Sequence, residues 1–98
     1  MAVYVIISYD IDDLRAYRPY IPGITRHLRK HGAEMVVADY DAKSIEGQVR
    51  GVNIVLRFES EEAATNCYDD PNYVPLKKIR LASTSNGTIL MAKQFAHI

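Results

Sequence analysis

The segment Val3 to Tyr9, Val-Tyr-Val-Ile-Ile-Ser-Tyr, restricts the fold more than any other part of the chain. It is rich in β-branched and aromatic residues and holds no Gly or Pro, which makes it a strand. Side chains alternate across a strand, so Val3, Val5, Ile7 and Tyr9 share one face and Tyr4, Ile6 and Ser8 the other. Both faces are mostly apolar, which predicts a strand covered on both sides. A chain of 98 residues has limited means of covering two faces by itself. The second cover is therefore expected from outside the chain.

The remaining segments divide into alternating patterns. Asp12 or Asp13 is placed to cap a helix. Leu14, Tyr17, Ile21, Ile24, Leu28 and His31 follow at helical spacing. Pro19 and Pro22 interrupt them and predict a kink or two short helices. Gly32 suits the left-handed cap conformation after His31. Strands are expected over 34–40 and 52–58, joined by a polar connection that holds Gly47 and Gly51. Ser60 caps the next helix, and Asp69-Asp70-Pro71 ends it. A further helix is predicted over 73–83, then a turn at Asn86-Gly87 and a last strand over 88–95.

The order β-α-β-β-α-β is that of a ferredoxin-like α+β fold, a four-stranded antiparallel sheet with helices on one face. Residues 1–98 are expected to form one such domain. The opposite sheet face keeps aliphatic side chains, and its economical cover is the same face of a second copy. The expected partner is thus the chain itself, as a homodimer.

Charge narrows the functional classes. Twelve Lys and Arg balance twelve Asp and Glu. Nucleic-acid binding, which relies on a basic excess, is not expected. The clusters Arg26, Arg29, Lys30 and Lys77, Lys78, Arg80 read as solvated helix faces. The apolar start lacks a basic leader region, and no run approaches membrane-spanning length, so neither a signal peptide nor a membrane partner is expected. A single cysteine, Cys67, fits a reducing, cytoplasmic setting and reads as a small buried hydrophobe.

Several residues together resemble a known family. They are Asp13, Tyr17 and Tyr20, then His31-Gly32, Glu46-Gly47, Phe58-Glu59-Ser60 and Ala63-Ala64. The segment Tyr68-Asp69-Asp70-Pro71-Asn72-Tyr73 is the most specific, followed by Leu76 and Arg80. In this order they resemble the domain-of-unknown-function family numbered thirteen-thirty, within the dimeric α/β-barrel superfamily. The chain departs from that pattern at Ala33, at Ala38-Asp39-Tyr40 where the family has Arg-Gly-Gly, and at Gln48-Val49 where a tryptophan is often found. The resemblance implies the fold and the dimer; relatives of that shape host unrelated chemistries.

The candidate ligand-binding residues are Tyr17, Tyr20, Tyr68, Tyr73 and Arg80. The resemblance places the tyrosines near the helix-covered side of the sheet. Phenols with a guanidinium can hold a carboxylate or another small anion. The plain alternative is that the rings fill core space. For proton transfer the candidates are Asp13, Glu46 and His31. Asp10, Asp12 and Asp13 could raise one another's pKa, or could serve a turn and a cap. Glu46 could act as an acid or base, or bond its own loop. His27 and His31 share a helix face, yet a catalytic metal needs a third ligand, and Arg29 and Lys30 would repel a cation. No metal and no cofactor are expected. The leading expectation is a dimeric small-molecule-binding protein. The alternatives are a cofactor-independent isomerase, lyase or oxygenase, and a structural dimer without a ligand.

Overall fold

The computed structural model describes residues 1–96. The elements are β1 (Val3–Ile11), α1 (Leu14–Tyr17), α2 (Tyr20–Lys30), β2 (Glu34–Asp39) and β3 (Val52–Phe58), then α3 (Glu61–Asp69), a 3₁₀ turn (Pro71–Tyr73), α4 (Val74–Ser83) and β4 (Thr84–Lys93). The four strands form one sheet in the order β2-β3-β1-β4, with every neighbour antiparallel. This is the ferredoxin-like arrangement. No helix among the described residues is long and apolar enough to cross a membrane.

Val3, Tyr9, Val52, Leu56 and Phe58 are buried toward the helices, where Ala64, Cys67, Tyr17 and Tyr20 pack against them. The pairing places Val37, Val55, Ile6 and Leu90 in one row across the opposite face. Ile6 is 40% exposed and Leu90 58%. The apolar outer face of β1 is therefore real and uncovered within one chain.

Pro19 divides the first helical segment in two, and the break shifts the buried stripe. Tyr17 of α1 and Tyr20 and His27 of α2 are buried, whereas Leu14 and Ile21 are half exposed. A single uninterrupted spacing from Leu14 to His31 does not describe this face, because each helix takes its own phase. Gly23 allows Leu76 of α4 to seat against α2, where an added methyl would overlap the leucine Cδ2. Gly32 adopts a φ of 71° after His31 and ends the helix.

The expected turn at Asn86-Gly87 is instead a bulge inside β4, which starts at Thr84, and Phe95 lies beyond the strand's end. Ser8 pairs with Thr88 and Asp10 with Ser85, so Tyr9 faces the two residues Asn86 and Gly87. Asn86 takes a φ of 56°, a left-handed conformation that asparagine tolerates. Its side-chain amide donates to Asp10 Oδ2 at 3.0 Å, which anchors the bulge.

Candidate functional site

Between the sheet and the helices lies a cavity of about 390 Å³, in the size range of small-molecule sites. Val5 and Ile7 of β1 and Ile54 and Leu56 of β3 form its floor, and Ile24 and Leu28 of α2 with Ala64 of α3 line the facing wall. These positions are apolar for the reason that built the core: they occupy the helix-facing phase of each strand and the inward stripe of each helix.

Polar groups line the same cavity as a cluster. Tyr9, Tyr17, Tyr20, Tyr73 and Arg80 all contribute. The Tyr9 and Tyr17 hydroxyls share a buried hydrogen bond. The Tyr17 and Tyr20 rings pack with centroids 5.3 Å apart. Burial pushes the Tyr9 phenol well above its ordinary value, and the bond to Tyr17 adds to this. Burial does the same for Tyr20, with the neighbouring Tyr73 adding to it. Tyr17 is also raised by burial. All three therefore keep their protons at neutral pH and can donate hydrogen bonds. Tyr68 stands half exposed at the rim with Lys77 Nζ 4.6 Å above its ring.

Arg80 is only 5% exposed, so it does not belong to a solvated basic face. Its Nη2 donates to the Tyr73 hydroxyl at 3.2 Å. Its Nε has no hydrogen-bond partner, and no carboxylate pairs with it among the described residues. The backbone beneath it is pinned, since the Thr84 hydroxyl donates to the Arg80 carbonyl at 2.6 Å and Ser83 Oγ donates to the Ile79 carbonyl at 2.7 Å.

His27 sits in the cavity wall rather than at a solvated helix end. Its Nε2 bonds the Cys67 carbonyl at 2.8 Å, and its ring stacks on Tyr73 at 5.4 Å between centroids. His31 turns away to Asp70, at 2.8 Å from Nε2 to the carboxylate. Hydrogen bonds from the Asn72 backbone N–H, His31 and Lys30 hold the Asp70 carboxyl well below the usual carboxylate range. His27, His31 and Cys67 offer potential metal-ligand atoms within 4.8 Å of one another. Both Nε2 atoms are hydrogen-bonded, which supports the cavity wall and leaves the Nδ1 atoms. Burial, with Asp70 adding to it, pushes the Cys67 thiol up to about 11.

The carboxylates of the first connection are committed to the backbone and its turns. Asp10 accepts from Asn86 and from the Gly51 N–H, Asp12 from the Ser85 hydroxyl at 2.9 Å, and Asp13 caps α1 through the Ala16 N–H at 3.1 Å. Glu46 is exposed in the connection between β2 and β3. Asp13, Glu46 and His31 thus do not line the cavity, whereas Tyr17, Tyr20, Tyr68, Tyr73 and Arg80 all do. Residue spacing alone does not single out Tyr9 and His27 as ligand-binding residues. Tyr9 shares the helix-facing phase of Val5 and Ile7, which was the available signal. For His27 the signal was its spacing of seven from Tyr20, hidden until the Pro19 break sets the phase.

A four-stranded antiparallel sheet with a cavity beneath its helices defines a ferredoxin-like α+β protein. The chain belongs to the family DUF1330, described as a domain of unknown function, whose model matches residues 2–94. No curated protein matches it significantly. Among solved structures it is similar to RPA0582, a protein of unknown function from Rhodopseudomonas palustris, with TM-score 0.83 and 14% identity over 98% of this chain and 84% of that one. It is also similar to a dimeric ferredoxin-like protein of unknown function from Jannaschia sp. CCS1, with TM-score 0.74 and 8% identity over 96% of this chain and 100% of the other. A mutant of SnoaB, a cofactor-independent oxygenase from Streptomyces nogalater, gives TM-score 0.65 and 8% identity over 99% of this chain and 96% of that one. At these identities the likeness shows the fold alone.

Proposed function

We propose that this chain is a single-domain, homodimeric protein of a reducing, cytoplasmic setting that binds a small organic molecule between its sheet and helices. The observation that carries this reading is the cavity: an apolar chamber of about 390 Å³ with phenols and one guanidinium gathered in its wall. Mostly apolar walls with a few convergent polar groups are what small-molecule sites have in common. The dimer reading rests on the row Val37, Val55, Ile6 and Leu90, an uncovered apolar surface whose simplest cover is the same row of a second copy. Solved neighbours described as dimeric ferredoxin-like proteins support it. The free, buried Cys67 supports a reducing compartment.

A fragment library titrated into isotopically labelled protein tests the binding reading. Amide shifts should cluster on Tyr17, Tyr20, Tyr73 and Arg80. Shifts confined to the outer sheet face, or none at all, would refute it. Catalysis is the weaker alternative, because Asp13, Glu46 and His31 are engaged or placed elsewhere and do not line the cavity.

A further inference from the structure

We infer that the ligand of this cavity is a monocarboxylate with a largely apolar body, and that Arg80 is its counter-ion; this rests on the cavity being a binding site. Arginine stays charged in proteins, and burying a charge without a partner is costly. Arg80 is 5% exposed, forms no ion pair, and carries the one buried side-chain polar atom without a hydrogen-bond partner among the described residues, its Nε. An unsatisfied group of this kind requires an explanation. Nε itself is sealed from the chamber, but Arg80 contributes to the chamber wall, so the counter-charge its guanidinium lacks arrives with the ligand.

The surroundings set the kind of anion. The Tyr73 oxygen accepts from Arg80, and Tyr73 also shares a side-chain hydrogen bond with Tyr20, so one proton of these two hydroxyls remains to donate. Of the Tyr9 and Tyr17 pair, one hydroxyl donates to the other, which leaves one proton for a further acceptor. The site therefore offers a planar two-pronged cation and neutral donors, which match one delocalised negative charge on a flat carboxylate. A phosphate dianion calls for more positive charge than one arginine. Among the described residues the one carboxylate in the lining, Asp69, is exposed and makes no ion pair with Arg80. Most of the remaining wall is aliphatic and aromatic, with His27, Thr25 and Thr65 as its other polar side chains, so the remainder of the ligand is largely apolar.

Matched probes test this in the full chain. 3-Phenylpropanoate and 2-naphthoate are each compared with their primary amides, which keep the shape and lose the charge. Binding is followed by amide shifts at Tyr20, Tyr73 and Arg80. The acids should bind about tenfold to a hundredfold more tightly than the amides. Arg80→Met should remove that preference and leave the amide affinities in place. Arg80→Lys, which keeps the charge and loses the fork, should retain a reduced preference and serves as the readout if the methionine variant does not fold. Amides that bind in the cavity as well as the acids would overturn the carboxylate inference while the cavity reading stands. If neither series moves the cavity residues, both fail.

Discussion

The guanidinium of Arg80 donates to the hydroxyl of Tyr73 at 3.2 Å, and among the described residues no carboxylate completes the pair. A residue kept for stability would be expected to have such a partner; a residue kept for an incoming anion need not. Replacing a buried ion pair by apolar side chains of similar volume is often neutral or stabilising by about 1–4 kcal/mol, and a buried charge without a carboxylate has less attraction to lose. Arg80→Met should therefore leave the ligand-free protein no less stable in urea denaturation, within about 1 kcal/mol. A loss of about 3 kcal/mol or more would mark Arg80 as a structural keystone instead.

Tyr9 and Tyr17 join β1 to α1 through their buried hydroxyls. Tyr9→Phe leaves the Tyr17 hydroxyl without that partner, at a cost of about 1–3 kcal/mol. The double replacement by phenylalanine should cost less than the sum of the two single ones, because both partners are then apolar. A double-mutant cycle measures this, and strict additivity would mean that the hydroxyls do not interact in solution.

Asp70 ties the end of α3 to His31 and Lys30 and caps the 3₁₀ turn through the Asn72 N–H. Its folded pKa lies below its unfolded one, so the unfolded chain takes up the proton first as pH falls. The stabilisation is fully present above the unfolded value and is lost as pH falls through the folded one. Asp70→Asn should be less stable at neutral pH and show a flatter acid limb. Parallel acid limbs for the two proteins would contradict the pairing.

The Cys67 thiol is buried and pushed up to about 11, so it is protonated at neutral pH. A thiol-specific disulfide reagent should react slowly with the native protein and rapidly once it is unfolded. Fast native labelling would show that the cavity wall opens.

The outer row on the sheet gives a further prediction. Leu90→Glu combined with Ile6→Glu places charges in the middle of the proposed interface, directly across from each other in the β1–β4 register. Light scattering should report a monomer for this variant and a dimer for the parent chain. A dimer that survives both charges would place the interface elsewhere.

Much of this was legible from residue patterns. The two-sided apolar strand at Val3–Tyr9 pointed to an uncovered sheet face, and Pro19 to the division between α1 and α2. Tyr17, Tyr20, Tyr68, Tyr73 and Arg80 do line one cavity. Other features depended on contacts that spacing does not encode. The helical phase across Pro19 is set by which ring meets the sheet, so Tyr20 and His27 are buried and Ile21 is half exposed. Asn86-Gly87 has the composition of a turn, and only pairing with Tyr9 and Asp10 makes it a bulge. Arg80 follows two lysines and resembles them by charge; its burial comes from its position on the inward face of α4.

A native mass spectrum of the protein, before and after incubation with 2-naphthoate, tests the central claim most directly. The account predicts the mass of two chains, with a discrete increment of one small molecule per chain in the loaded sample, and in the Arg80→Met variant an occupancy no higher than that of the matched amide. A single-chain mass, or a two-chain mass that gains nothing at any naphthoate concentration, would contradict it.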